Sequence, residues 1–226
     1  TFKLGDLTII LKSKGFWLIA LLCLCFYSAV FPFLKFATSL MINKYGVDPD
    51  WAGAFPTLIL LGNLFMTPIF GAIYGKHGKG ATIMIIGSVL LIIVHLMFAM
   101  PLLNHSWFAS IIMLLLGVAF SLVPSAMWPS VPKIIPLHLL GSAYALIFWV
   151  QNIGLGYVPK IIGYILDKYC IVVTVVRDCN EVIQYDYTIP MLIFAVFGVI
   201  ALGLALWLKY EDGKKGYGLE KPNITK

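Results

Sequence analysis

Six apolar runs, each long enough to cross a hydrocarbon core as a helix, follow one another along this chain with only short connections between them. A span needs about twenty predominantly apolar residues. The sequence supplies them at about 16–41, 51–74, 82–103, 107–131, 140–166 and 189–208. Of its residues 61% are hydrophobic and 12% charged, too apolar a balance for a soluble globular domain. The expected fold is therefore all-α: a polytopic membrane protein with six transmembrane helices in one domain over residues 1–226. Residues 1–15 form a lead-in and 209–226 a tail. The chain starts at Thr1 with Lys3, Lys12 and Lys14 ahead of the first apolar run and no signal-peptide pattern, so a natural start further upstream is expected.

The basic residues set an orientation. Lys3, Lys12, Lys14, Lys76, Lys79, Lys133, Lys209, Lys214, Lys215, Lys221 and Lys226 fall on one side, and only Lys44, Lys168 and Arg177 on the other. The positive-inside rule makes the first side cytoplasmic, with both ends of the segment on it. The net charge of +6 is explained by this topology. No basic face interleaved with stacking aromatics is present to suggest nucleic acid.

The six runs differ in polarity. The third carries only Ser88 and His95 as notable polar residues and the sixth none, so both can face lipid. The others place polar residues at helical spacing, as a helix beside an aqueous cavity does. Tyr27, Ser28, Phe31, Lys35, Thr38 and Ser39 share a face of the first run; Asn63 and Thr67 are one turn apart on the second. Ser121, Ser125 and Trp128 form a stripe on the fourth, and Trp149, Asn152, Gly156, Pro159, Lys160 and Gly163 another on the fifth. The stretch 121–167 also holds Pro124, Pro129, Pro132 and Pro159. Proline inside a membrane helix is tolerated where neighbours or a cavity satisfy the freed backbone groups. Four lining helices and two peripheral ones follow.

Candidate substrate-facing residues are Tyr27, Lys35, Asn63, Trp128, Asn152 and Lys160. Lys35 and Lys160 fall in the outer part of their runs. Each either snorkels to the headgroups or presents a cation to a substrate carboxylate, and the polar residues on the same faces favour the second role. Gln151 and Asn152 differ by about a quarter turn, so one faces the cavity, and the stripe selects Asn152. Tyr27 and Trp128 either fill the bundle core or build an aromatic wall. His95 has no second histidine or acid at ligand spacing, so neither metal nor cofactor is expected. The absence of a convergent nucleophile, base and metal set also argues against an enzyme. No Asp or Glu lies inside a run, so proton coupling through these helices is not expected.

The turn GAIYGKHGKGA at 71–81 resembles the loop signature of the major facilitator superfamily, Gly-x-x-x-Asp-basic-x-Gly-basic-basic. Gly71, Lys76, Gly78 and Lys79 match; Gly75 stands where the family has its acid and Gly80 where it has the last basic residue. In the family that acid meets a helix N-terminus, so here the latch is either weaker or supplied elsewhere. The segments FWLIALLCLCFYSAVFPF, SLVPSAMWP and 140–167 with its QNIGL core also resemble the second half of such transporters, including bacterial members. The resemblance implies one half of a twelve-helix major facilitator fold. It further implies a small-molecule substrate, most specifically dipeptides, moved by alternating access as a uniporter or with an ion. Organic anions, sugars or a non-transporting receptor or scaffold role remain alternatives. The partners it implies are the bilayer and the N-terminal six-helix half, an accessory membrane subunit being left open; the membrane is that of the lysosome or the bacterial inner membrane.

Cys170 and Cys179 bracket a non-cytoplasmic loop where oxidation is permitted, and a disulfide between them is expected. The loop also contains IVVTVV, which suits a short hairpin. Asn104-His105-Ser106 is a sequon in a short loop of the same side.

Overall fold

A computed structural model describes residues 4–101, 104–177 and 180–223. After a short helix α1 (Leu4–Lys12), helix α2 (Lys14–Tyr45) is capped by the Ser13 side chain, which accepts from the Phe16 amide, and closed by Gly46 in a left-handed conformation. The second apolar run is split. A single turn, α3 (Pro49–Ala52), precedes helix α4 (Thr57–His77), because Gly53 and Pro56 interrupt the helix between them. Helices α5 (Gly80–Ala99), α6 (Ser106–Ile134) and α7 (Leu140–Tyr169) follow, and the last helix is α8 (Thr188–Lys215). Among the described residues, six helices are long and apolar enough to span a membrane. Strands β1 (Ile171–Arg177) and β2 (Asn180–Tyr185) pair antiparallel between α7 and α8, the hairpin that the β-branched run suggested.

The bundle has two rows. α2 packs on α6, α7 and α8; α5 packs on α6 and α8; α4 packs on α6. The order α4, α6, α2, α7 therefore forms a front row, with α5 and α8 behind α6 and α2. Lipid is as apolar as leucine, so close approach of backbones and good packing hold such helices together. At the α4–α6 crossing a Cβ on Gly117 would stand 2.4 Å from the Ile59 carbonyl oxygen and 2.9 Å from the Gly62 Cα, so only glycine fits.

Two sequence expectations are corrected in part. The third run was expected to be able to face lipid, and one side of it turns inward, where Ser88 and His95 on α5 are fully buried. His95 lies between Phe33 of α2 and Phe194 of α8, with ring centroids 5.4 Å away on each side. Both of its ring nitrogens are buried, with the Ala29 backbone beside the ring. The exposed side of α5 carries Ile86, Val89, Ile93 and Leu96 instead, apolar enough to face lipid. The second correction concerns the last helix, which continues past Leu208 to Lys215 and carries Glu211 and Asp212 buried at its end. The chain's two ends lie on one face, where Lys14 pairs with Glu211 at 2.8 Å; this is the basic end, and the hairpin marks the other.

Candidate functional site

Aromatic rings from three front-row helices converge. The Trp128 indole N–H of α6 donates to the Tyr27 hydroxyl of α2 at 3.2 Å. Tyr27 stacks on Phe31 at 5.5 Å, and Phe120 of α6 meets both edge-on. On its other side Trp128 stacks on Phe148 of α7 at 4.9 Å. Phe148 and Phe31 are 48% and 37% exposed, so this wall presents ring faces outward instead of closing on itself. Sequence reading named Tyr27 and Trp128 but missed Phe120, Phe148 and Tyr144, the last of which packs its ring 5.8 Å from Trp128. Ser121 and Ser125, expected on the same stripe, are buried and bond back to the Val118 and Leu122 carbonyls of their own helix.

Lys35 lies further along α2, exposed at a cavity of about 410 Å³ that Phe31, Pro32, Leu34 and Leu155 complete. The cavity is apolar apart from the ammonium. Lys35 and Lys160 both stand about 30 Å along their helices from the basic end, on a rise of 1.5 Å per residue. Lys160 is exposed, with its ammonium 5.9 Å from the Tyr157 ring. Trp149, Asn152, Gly156 and Lys160 all lie on the open side of α7. Asn152 is exposed and donates to the Phe148 carbonyl, while Gln151 is buried and accepts from the Cys23 thiol at 3.2 Å. Asn63 is half-buried on α4, and its backbone carbonyl accepts from the Thr67 hydroxyl at 2.7 Å. The structure thus brings Tyr27 and Trp128 into contact and puts Lys35 one cavity above them. It leaves Asn63 apart on α4.

At the hairpin end, Cys170 is buried, and its expected partner Cys179 lies outside the described residues. The Asn43 side chain accepts from the Tyr185 amide there, fastening β2 to α2.

The family model of the Major Facilitator Superfamily matches residues 1–159. The chain belongs to the Major Facilitator Superfamily. Within the superfamily it is 35% identical over 169 residues to the lysosomal dipeptide transporter MFSD1 of Bos taurus, covering 73% of this chain and 35% of that protein. Its human counterpart is 34% identical over 170 residues, covering 74% and 36%. The chain thus spans about a third of the length of these curated relatives. Among solved structures, a mutant peptide transporter POT in complex with alafosfalin superposes with a TM-score of 0.70 at 15% identity, over 92% of this chain and 40% of that one. The tetrameric PepTSo2 also scores 0.70, at 17% identity, over 92% and 43%. At such identities these two likenesses concern the fold alone.

Membership gives the turn at 71–81 its context. α4 runs to His77 and α5 begins at Gly80, so the turn that resembles the superfamily signature closes in two residues, Gly78 (φ 71°) and Lys79 (φ 61°). Gly78 has a second reason to be glycine: a Cβ there would lie 2.4–2.6 Å from the backbone of Glu220, Lys221 and Pro222. The chain after α8 folds back across this turn. Asp212 turns it by accepting from the Gly218 and Leu219 amides, at 2.8 and 3.1 Å. Lys79 and Gly80 then donate their amides to the Glu220 and Leu219 carbonyls at 3.0 and 2.9 Å. The Glu220 carboxylate accepts from the Thr82 amide at 3.0 Å and from the Thr82 hydroxyl at 2.9 Å. Lys133 at the end of α6 donates to the Gly218 and Lys221 carbonyls. A carboxylate thus sits on the N-terminus of α5, brought there by the tail. No signal in the sequence near the turn could have revealed Glu220, which is 138 residues from Thr82.

Proposed function

We propose that this chain is the C-terminal half of a facilitative transporter of dipeptides, its front row forming one wall of an alternating-access path. The observation that carries the reading is Lys35: an exposed ammonium at an otherwise apolar cavity of about 410 Å³, on the open face of the bundle. A cation kept at bilayer depth suits a ligand that brings the opposite charge, and a peptide carboxylate is such a ligand. The aromatic wall below it offers apolar faces to side chains. The names of the curated relatives support the same substrate class. The only acids of α8, Glu211 and Asp212, sit at its basic end in contact with Lys14 and the tail, so the deep part of the wall is without a carboxylate to carry protons. That favours facilitated diffusion over proton-driven accumulation. The basic end is taken as cytoplasmic, and the partner completing the path is a six-helix N-terminal half.

The test is counterflow of a labelled dipeptide into proteoliposomes holding the complete protein, with and without a pH gradient. Saturable exchange that ignores the gradient, with Lys35→Ala raising KM at least tenfold and Lys160→Ala measured beside it, is the expected outcome; removing a charged hydrogen-bond partner costs about 1.5–3 kcal/mol. Exchange indifferent to Lys35→Ala removes the lysine from the path. A lack of exchange with any dipeptide removes the substrate class and leaves the fold standing.

A further inference from the structure

Pro132 stands inside α6. In an uninterrupted helix the amide of residue 132 would donate to the carbonyl of residue 128, four positions back, but proline has no N–H. The Trp128 carbonyl is therefore left without its helical partner. The Tyr144 hydroxyl of α7 donates to that same carbonyl at 3.2 Å. Apart from the Trp128 ring's contacts with Phe148 and Tyr144, α6 and α7 touch only lightly, so this hydrogen bond helps tie the proline-rich end of one helix to the first turns of the other.

Trp128 is the residue on which the aromatic wall turns. Its indole reaches Tyr27 on α2 and stacks on Phe148 on α7. Where its Cα sits depends on how α6 bends at Pro129 and Pro132, and three prolines in one helix leave that bend poorly fixed by the helix itself. We infer that Tyr144 is a positioning residue: by taking up the carbonyl that Pro132 frees, it fixes the bend of α6 and holds the Trp128 indole in register with Tyr27 and Phe148. Tyr144 acts through Trp128 and is not itself a contact for substrate. The inference rests on the reading of the wall as substrate-facing only for its transport consequence; the contact itself stands apart from it.

The two can be tested together in the complete protein. Tyr144→Phe keeps the ring and removes the donor. Labelled-dipeptide counterflow by Tyr144→Phe should show KM raised about fivefold, the worth of one neutral hydrogen bond, with the maximal rate little changed. Pro132→Ala restores an amide to the Trp128 carbonyl, so in that background Tyr144→Phe should have no further effect. A purely structural tyrosine would lower yield and rate in both backgrounds alike, and that result overturns the inference. A second readout needs no transport: the emission of Trp128, taken as the difference from Trp128→Phe, should move to longer wavelength in Tyr144→Phe as the indole loosens. An unmoved difference spectrum also overturns it. If wild-type protein exchanges no dipeptide but the spectrum moves, the substrate reading falls and the positioning role holds.

Discussion

Replacing Glu220 tests whether the tail supplies the N-cap of α5. The first amides of a helix have no partner within it and are expensive to leave open in a poorly hydrated place. Lys79, the residue before α5, makes no side-chain cap bond. Instead the Leu219 carbonyl takes the Gly80 amide and the Glu220 carboxylate takes the Thr82 amide and hydroxyl. Substituting a capping side chain by alanine costs about 0.5–2 kcal/mol, and an anion on a helix N-terminus adds about 0.3–1 kcal/mol. Glu220 is half-buried, so we expect Glu220→Ala to cost about 1–2 kcal/mol locally. The corresponding change in an opening equilibrium is about 5–30-fold. Hydrogen exchange of the complete protein in detergent should show the Thr82 amide losing protection by that factor, with amides in the middle of α5 unchanged. Glu220→Gln keeps an acceptor and loses the charge, so its loss should be about threefold. Equal protection at Thr82 in wild type, Glu220→Gln and Glu220→Ala would refute the capping role.

Two further outcomes are expected. Gly117→Ala puts a Cβ against the Ile59 carbonyl and Gly62 Cα, forcing α4 off α6; overpacking of this kind costs about 1–3 kcal/mol, and an unchanged melting temperature in detergent would count against the close crossing. Burial, and secondarily the neighbouring Asp186 carboxylate, raise the Cys170 thiol pKa above its ordinary value of 9.0. Thiolate is then scarce at pH 7, so maleimide labelling of reduced Cys170 should be slow there, quicken above pH 9 and quicken at neutral pH in Asp186→Asn; labelling that is fast at pH 7 and insensitive to Asp186 would contradict this. Mass spectrometry before and after reduction would report in the same experiment whether Cys170 and Cys179 are joined.

What could be read from the sequence was what local spacing controls. Run length identified every spanning helix, because spanning depends on apolar length alone. The step of 100° per residue was enough to turn Gln151 and Asn152 to different sides, and the structure has one buried against Cys23 and the other open. Hydropathy ended the last helix at Leu208 because it measures apolarity, while the helix itself runs seven residues further as a polar end whose buried side chains are Glu211 and Asp212. The third run offered only Ser88 and His95 as polar residues, two turns apart on one face, and that is the side that turns inward. The aromatic wall was only half legible: Tyr27 and Trp128 stood out by type, but Phe120, Phe148 and Tyr144 join them through the relative rotation of three helices. Glu220 is the extreme case, since its role exists only once the tail has folded back.

The same long-range contacts divide the bundle into a part tied at many points and a part tied at few. α5 is held at both ends from elsewhere in the chain: the tail caps its N-terminus, and the Lys44 ammonium of α2 accepts no bond but donates to the Phe98 and Met100 carbonyls at its C-terminus. The tail also takes Lys133 of α6 and grows directly out of α8. The ring of α2, α5, α6 and α8 is thereby closed by packing along its length and by polar ties at its ends. α4 and α7 each lean mainly on one member of that ring, α6 and α2 respectively, and keep their other sides open. Rearrangement by rocking needs a body that moves as one and flanks that can change neighbours. Under the function proposed above, the ring is that body. The flanks α4 and α7 carry Asn63, Asn152 and Lys160 on the sides where neighbours can change, while Lys35, Tyr27 and Trp128 stay with the ring. Under the same proposal, a ligand held between Lys35 and a residue of α7 would bridge the two parts, and a differential affinity for two arrangements of them would drive one into the other.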